Sequence, residues 1–109
     1  MVRISWKPEG FLQVRGHAGS GEKGKDLICA AVSTLVLTLA ANTERMVREG
    51  WITAPVIRLT DGAALICGNP RPEYRESVGL VFGSICTGFH VLAEKYPEYV
   101  ETSASFPME

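Results

Sequence analysis

The sequence predicts an α+β fold in which two helices cover one face of a mostly antiparallel sheet. Three observations point to this class: short runs that alternate apolar and polar residues, tight turns between those runs, and two long segments with helical periodicity. Their predicted order along the chain is ββαββαβ. Because each element has one apolar face to bury, two hairpins and two helices in this order form a two-layer sandwich.

The chain opens with a predicted hairpin. Val2, Ile4 and Trp6 alternate with polar residues, which is the pattern of a strand with one buried face. Residues 7–10, with the letters KPEG, are typical of a turn. Residues 11–15 are therefore expected to form the returning strand.

The first helix is predicted from residue 26 to about residue 49. Asp26 is a favourable N-cap, and Gly50 is a favourable C-terminal stop. The apolar residues between them recur at helical spacing and are expected to share one broad face: Leu27, Ile28, Ala31, Leu35, Leu39 and Met46.

A second hairpin, a second helix and a last strand follow. Residues 56–59 and 63–67 are apolar runs on either side of Asp61-Gly62, which is a strong hairpin signal. The second helix is predicted roughly over residues 72–96, and the last strand over residues 99–106. The expected core stripe of this helix contains Val78, Val81, Phe82, Ile85, Phe89 and Leu92.

Length and composition predict a single domain over residues 1–109. Apolar residues make up 46% of the chain, which is enough for a core without disulfide bonds. The net charge is −1, with eleven basic and twelve acidic residues scattered along the chain. This balance argues against direct nucleic-acid binding and against a polybasic membrane anchor.

The same sequence predicts a cytoplasmic location. The longest apolar window, residues 27–41, is shorter than the roughly 20 residues of a membrane span, so no membrane segment is expected. Met1 leads directly into the first strand and leaves no room for a signal peptide. Three cysteines without metal-type spacing are typical of free thiols in a reducing compartment, and we expect neither a metal nor another cofactor.

The residues that carry chemistry lie around the start of the first helix. With Asp26 as N-cap, Cys29 occupies the third helical position, where unpaired backbone N–H groups and the helix dipole favour a thiolate. His17 precedes Cys29 by twelve residues, and a glycine-rich loop joins the two. In this arrangement Cys29 attacks a carbonyl while His17 acts as general base and then as general acid. Backbone N–H groups near the cysteine or in the loop would stabilise the oxyanion.

Other interpretations of this segment stay open. The cysteine could be a buried structural residue, and the histidine could bond only to backbone. Gly19, Gly21 and Gly24 also satisfy the spacing of a phosphate-binding glycine loop. However, Asp26 stands where Ser or Thr would bind magnesium, and the preceding strand belongs to a hairpin rather than to a parallel βαβ unit. The same glycines are expected to let the loop close over a bound peptide.

Two segments resemble a known family. Residues 16–19 have the letters GHAG, and residues 24–33 have the letters GKDLICAAVS. Together they strongly resemble the signature of the ribosomal-processing cysteine protease family (Prp, YsxB-like), a G-H-x-x-(x) glycine-rich segment followed by G-x-D-[IL]-[IV]-C-A-x-V-S. The length and the predicted element order also agree, so the resemblance covers essentially the whole chain.

The resemblance implies site residues. Cys29 matches the family's nucleophile and His17 its general base. Asp26 and Ser33 match other signature positions near the site. The site residues expected to contact the substrate are Gly16, Gly19, Gly21, Gly24, Asp26 and Ser33.

The resemblance also implies a substrate. Family members are similar in being small cytosolic homodimers that remove a short N-terminal extension from a large-subunit ribosomal protein, the one numbered twenty-seven. Cleavage follows an aromatic residue in an apolar segment and is needed for ribosome assembly. The partners implied for this chain are therefore that N-terminal extension and a second copy of the chain.

Several neighbouring residues have more ordinary explanations. Asp26 either caps the helix or orients the histidine. Ser33, one turn beyond the cysteine, contacts substrate or packs beside the sheet. Cys67 and Cys86 are expected to be buried small apolar residues, and His90 to lie on the second helix without an obvious partner.

The leading hypothesis is a cysteine endopeptidase that acts on an apolar-aromatic peptide. A non-enzymatic ribosome-assembly module that binds the same peptide or RNA is the second hypothesis. Preferential iodoacetamide labelling of Cys29 at neutral pH separates these two. A nucleotide binder is the third, and calorimetry with magnesium and ATP tests it.

Overall fold

The protein is built from strands and two long helices in the predicted order. The computed structural model describes residues 1–17 and 26–103, and every helix and strand named below lies in those ranges. The elements are β1 Val2–Lys7, β2 Phe11–Arg15, α1 Leu27–Arg48, β3 Val56–Thr60, β4 Ala63–Cys67, a short 3₁₀ turn Pro72–Tyr74, α2 Arg75–Lys95 and β5 Val100–Thr102. The predicted α+β class is confirmed.

The strands form one sheet in the order β3-β4-β2-β1-β5. Neighbours are antiparallel except for β1 and β5, which run parallel. The second hairpin joins the first through β4, which pairs with β2 from Phe11 opposite Cys67 to Arg15 opposite Ala63. This pairing brings the β3–β4 turn beside the end of β2, where the glycine-rich segment begins.

One face of the sheet and one stripe of each helix share a single hydrophobic core. Along the strands, alternate side chains are buried because successive residues point to opposite faces. The buried strand residues are Val2, Ile4, Trp6, Leu12, Val14, Ala64, Ile66 and Val100. The buried helix residues include Ile28, Val32, Val36, Leu39 and Met46 of α1, and Val78, Phe82, Cys86 and Phe89 of α2.

The structure corrects the predicted helix faces. Leu27 is 80% exposed because the buried stripe of α1 starts one residue later, at Ile28, and continues through Val32. On α2 the fully buried stripe includes Cys86. The predicted stripe members that are only half-buried on α2 are Val81, Ile85 and Leu92.

Three further boundaries and positions differ from expectation. Residues 72–74 form a 3₁₀ turn, and the second α-helix begins at Arg75. The last strand starts one residue later and ends at Thr102, while residues 104–106 of its predicted range lie outside the described residues. Cys67 is half-buried rather than buried, because alternation along β4 puts it on the outer face beside Phe11.

By length and composition alone, two helices could cross a membrane, α1 and the segment 72–95. Long apolar core helices pass the same test. In this structure each helix packs its apolar stripe against the sheet. The absence of a membrane segment stays a prediction from the sequence.

Removing the Phe82 ring is expected to destabilise the fold strongly. Phe82 is fully buried, and its ring lies against the position a Cβ would take at Gly68. Phe82→Ala should lower the free energy of unfolding by about 3–5 kcal/mol, measured by urea denaturation. Leu80→Ala on the same helix is the control, since Leu80 is 72% exposed and its loss should cost less than about 0.5 kcal/mol. Equal losses in the two variants would contradict this placement of the core.

Candidate active site

A cleft of about 270 Å³ opens between α1 and the β3–β4 turn. Its lining includes His17, Cys29 and Ser33, all of which are predicted site residues. The structure therefore brings the histidine, the cysteine and the serine of the predicted site to one surface. Gly16 also lines this cleft.

Cys29 lies at the first turn of α1, as predicted. Its backbone N–H donates a hydrogen bond to Asp26 Oδ1 at an N···O distance of 2.9 Å, and Asp26 has the extended backbone of an N-cap. The cysteine residue is half-buried and borders the cleft. The first turn of α1 contains no acidic residue of its own, but the Asp26 carboxylate at the N-cap lies against this turn and opposes the positive end of the helix dipole.

The Asp26 cap has a consequence for oxyanion binding. While the Asp26 carboxylate accepts from the Cys29 N–H, that N–H is occupied and is not available to a substrate oxygen. Ala30 N–H already donates to the Asp26 carbonyl. The remaining amides of the first turn, those of Leu27 and Ile28, have no acceptor within the helix because no earlier turn exists. These two N–H groups are the helix's best candidates for stabilising an oxyanion.

Substitutions at Asp26 distinguish its role as a helix cap from an effect of its negative charge on catalysis. Asp26→Ala should cost about 1 kcal/mol of stability because a first-turn amide loses its acceptor. Asp26→Asn keeps an oxygen acceptor and should restore most of that stability in thermal melts. If Asp26 acts only as a cap, the Asn variant also keeps its kcat/KM for peptide cleavage. A stable Asn variant with strongly reduced activity would instead assign a role to the negative charge.

His17 lies two residues after the end of β2, and backbone hydrogen bonds hold its segment from two sides. Its carbonyl accepts a hydrogen bond from the Met1 amino group at 2.6 Å. The neighbouring Gly16 N–H donates to the Gly62 carbonyl at 2.8 Å. The segment carrying the histidine is therefore attached both to the start of β1 and to the β3–β4 turn.

The imidazole ring of His17 rests against Gly62. A Cβ at residue 62 would lie 2.7 Å from His17 Nε2 and 3.3 Å from Cε1. Any residue other than glycine would therefore force the imidazole ring to move. Gly62 also has φ +77°, which favours glycine independently. The β3–β4 turn therefore contacts one side of the imidazole ring. The sequence did not predict this contact.

Backbone geometry explains why residue 16 is glycine. It has φ +99°, and a Cβ there would collide with the Met1 carbonyl oxygen. Close approach of two backbone segments explains this glycine without a substrate, although it also borders the cleft. Gly19, Gly21 and Gly24, the other predicted substrate-contacting glycines, lie outside the described residues.

Ser33 is exposed and lies one turn after Cys29 along the same cleft. Of the two roles considered for it, the cleft position favours contact with a substrate over packing beside the sheet. The site also includes residues that the sequence did not indicate. Leu37 of α1 and Leu59 of β3 line the cleft, as do Asp61 and Gly62 of the turn. The Asp-Gly pair indicated a turn, but only the pairing of β4 with β2 placed that turn beside the histidine.

The remaining cysteines and histidine lie away from this cleft. Burial raises the pKa of the Cys86 thiol to about 12, which keeps it protonated at neutral pH. Cys67 lies on the outer face of the sheet, opposite Phe11. His90 does have a partner, contrary to expectation, since its Nε2 lies 3.1 Å from Glu94 Oε1 one helical turn later.

The structure also bears on the alternative ligands. β2, the strand before the glycine-rich segment, is antiparallel to both of its neighbours, so it does not belong to the parallel βαβ unit of dinucleotide-binding loops. Among residues 1–17 and 26–103, no group of three or more His, Cys, Asp or Glu side chains is placed to hold a metal ion. The described lining of the cleft contains one thiol, that of Cys29, and one imidazole, that of His17, together with the Ser33 and Thr60 hydroxyls and the Asp61 carboxylate.

Comparisons with known proteins agree with this chemistry. The family model described as Cysteine protease Prp matches residues 5–101. The ribosomal processing cysteine protease Prp of Mycoplasma genitalium is 29% identical over 105 residues, which covers 92% of each chain.

Solved structures give the same result for the fold. The crystal structure of SMU.848 from Streptococcus mutans is 31% identical, with a TM-score of 0.69 over 94% of this chain and 92% of that one. The essential ribosomal processing protease Prp from S. aureus, in complex with a covalently linked product peptide, has the same TM-score at 21% identity, over 94% and 95% of the two chains. This second likeness establishes the fold alone. Because the family model spans most of the chain, the protein belongs to the cysteine protease Prp family and is a cysteine protease.

Proposed function

We propose that this protein is the endopeptidase that removes the short N-terminal extension of a large-subunit ribosomal protein, the one numbered twenty-seven. The observation that carries the proposal is the shared cleft of Cys29 and His17 at the start of α1. The Mycoplasma genitalium relative is a ribosomal processing protease by name, which supports a substrate of this kind.

In the proposed mechanism Cys29 is the nucleophile and His17 is the general base. His17 accepts the proton of the thiol as the sulfur attacks the carbonyl carbon of the scissile peptide bond. The resulting imidazolium then donates this proton to the leaving amine, the C–N bond breaks, and a thioester remains. Water next attacks the thioester with His17 again accepting a proton. The carboxylic acid product leaves as the thiol regains its proton.

Charge that develops on the carbonyl oxygen needs hydrogen-bond donors. The Leu27 and Ile28 amides belong to the first turn of α1 and have no acceptor within the helix, while the Asp26 cap occupies the Cys29 amide. Donors in a fixed position stabilise the oxyanion without having to reorganise during the reaction. The Asp26 cap contributes by holding the first turn, and with it these amides, in a defined geometry.

We also propose that the protein is a cytoplasmic homodimer. A homodimer is expected from the family resemblance. Cys29, Cys67 and Cys86 form no disulfide bond within the described residues, which is consistent with the proposed cytoplasmic location.

Mass spectrometry of the host's ribosomal protein tests the proposed function. The full-length ribosomal protein is incubated with this protein, and the expected result is the loss of a short N-terminal segment at one position. Cys29→Ala protein under the same conditions is the control and should leave the mass unchanged. An unchanged mass with the unsubstituted protein would overturn the substrate assignment. In cells that carry only the Cys29→Ala variant, the uncleaved ribosomal protein should accumulate and assembly of the large subunit should fail.

A further inference from the structure

One of the strands that line the cleft, β3, lies at an edge of the sheet. In the order β3-β4-β2-β1-β5, β3 is paired with β4 on one side and, within the described residues, has no strand on the other. An edge strand presents unpaired N–H and C=O groups that another extended chain can use. Leu59 and Thr60, at the end of β3, line the same cleft as Cys29.

The register of the second hairpin identifies which backbone groups face this open edge. Thr60 pairs with Ala63 across the two-residue turn, and the pair that closes such a turn exchanges its hydrogen bonds. Bonded and non-bonded pairs alternate along an antiparallel ladder, so Arg58 also bonds to β4. Ile57 and Leu59 therefore direct their N–H and C=O groups away from β4, towards the open edge.

The side chains of these residues lie on the helix side of the sheet. Ile57 and Leu59 are opposite Ile66 and Ala64, which are buried in the core. Leu59 is nevertheless 42% exposed, because α1 does not cover this end of the sheet fully. Leu37 of α1 lines the same cleft and is 58% exposed. The two leucines therefore offer exposed apolar surface in a groove that is part of the cleft of His17 and Cys29.

The size of this groove suits a short extended peptide. Cys29 and Leu37 are eight residues apart on one helix, which corresponds to about 12 Å along its axis. An extended chain advances about 3.3 Å per residue, so three to four residues fit along this length. Side chains of such a chain alternate between two faces, and every second one would enter the groove between the leucines.

We propose that the substrate binds as an additional strand on the open edge of β3. Its backbone pairs with Ile57 and Leu59, its apolar side chains enter the groove between Leu37 and Leu59, and its scissile bond reaches Cys29. This inference rests on the proposed function, because it concerns how the same catalytic site is loaded. Main-chain pairing supplies affinity and alternate pockets supply specificity in this mode of recognition.

A peptide is the occupant favoured over a second copy of the chain. The groove is continuous with the end that holds His17 and Cys29, since all of these residues line one cleft. A second copy seated permanently on β3 would cover Leu59, Thr60 and Asp61 and close the cleft to substrate. A bound extended peptide occupies the edge and presents its own backbone to the cysteine.

Amide hydrogen exchange measured by NMR on the Cys29→Ala protein tests this binding mode without requiring catalysis. The probe is a capped decapeptide with phenylalanine and leucine at alternate positions and serine between them. We expect the Ile57 and Leu59 amides to exchange about tenfold more slowly, or slower still, when the peptide is bound. The Arg58 amide is the internal control, since it already bonds to β4 and should change little. A peptide N-methylated at the pairing positions should lose this protection.

Side-chain variants test the groove separately. Leu37→Ala and Leu59→Ala should each raise the dissociation constant for the probe peptide by about fivefold to tenfold, because apolar contact area is lost. Leu80→Ala is the matched control, since Leu80 is an exposed leucine on α2 that does not line the cleft, and it should leave the constant unchanged.

Other outcomes of these experiments would contradict the inference or the proposed substrate. Failure to bind the probe, or binding without protection of Ile57 and Leu59, overturns the inference. Protection that is already present without peptide and increases with protein concentration assigns the edge to a second copy instead. If the protection appears but the ribosomal protein stays uncleaved in the mass spectrometry assay, strand addition holds and the substrate assignment alone is wrong.

Discussion

Cys29→Ala is expected to abolish peptide cleavage and leave the fold intact. The substitution removes the sulfur that forms the covalent intermediate, and no other described residue of the cleft carries a thiol. Loss of the nucleophile should lower kcat/KM by at least about 10³-fold. Because the Asp26 cap uses the backbone N–H of residue 29, alanine keeps the cap, and thermal melting should change little. Both quantities are measured on the same preparation.

The other cysteines are the controls for this experiment. Cys67→Ala and Cys86→Ala should keep most of the activity, since neither residue lines the cleft. Iodoacetamide at neutral pH should label Cys29 preferentially, while the Cys86 thiol stays protected by burial and by a pKa raised to about 12. Cleavage by a protein that carries both Cys29→Ala and His17→Ala would refute the assignment of the dyad. Equal labelling of all three thiols would favour a non-enzymatic binding role for this fold.

Gly62→Ala is expected to lower kcat/KM by about 100-fold although Gly62 performs no chemistry. Its new Cβ would lie 2.7 Å from His17 Nε2, so the imidazole must leave its place above the turn. A displacement of about 1 Å in a reacting group can cost two orders of magnitude in rate. Gly62 is therefore a positioning residue for His17. The loss should appear mainly in kcat, and the rate of Cys29 alkylation at neutral pH should fall as well.

Gly50→Ala is the matched control for backbone strain. Gly50 has φ +81°, close to the +77° of Gly62, but a Cβ there has no heavy atom within 4 Å. Both alanine variants should therefore lose about 1 kcal/mol of stability from the left-handed backbone conformation. Only Gly62→Ala should lose activity. Equal activities in the two variants would show that the turn does not hold the histidine.

Local patterns were sufficient to predict most elements. Asp26 and Gly50 mark the ends of α1 because capping depends on side chains and backbone angles within a few residues. Asp61-Gly62 marks the second hairpin for the same reason, since Gly62 adopts a positive φ in the turn. The position of Cys29 at the first turn follows directly from the cap. These features need no knowledge of what packs against them.

Periodicity was less reliable for deciding which side chains are buried. Leu27 belongs to an apolar run but is exposed, because the face of α1 that meets the sheet begins at Ile28. Cys86 is fully buried on α2, whereas Val81, predicted for the same stripe, is only half-buried. A helix with apolar residues on several sides permits more than one orientation. Contact with the sheet selects one of them.

Local patterns in the sequence predicted the order of strands and helices and the capped first turn, and they indicated Cys29 and His17 as the candidate reactive groups. The pairing of β4 with β2 was not predictable in this way, and it is this pairing that places Gly62 against His17 and brings Leu59 to the cleft that Leu37 also lines. Turns and caps depend on neighbouring residues, whereas the choice of pairing partner depends on burying apolar faces that are distant along the chain.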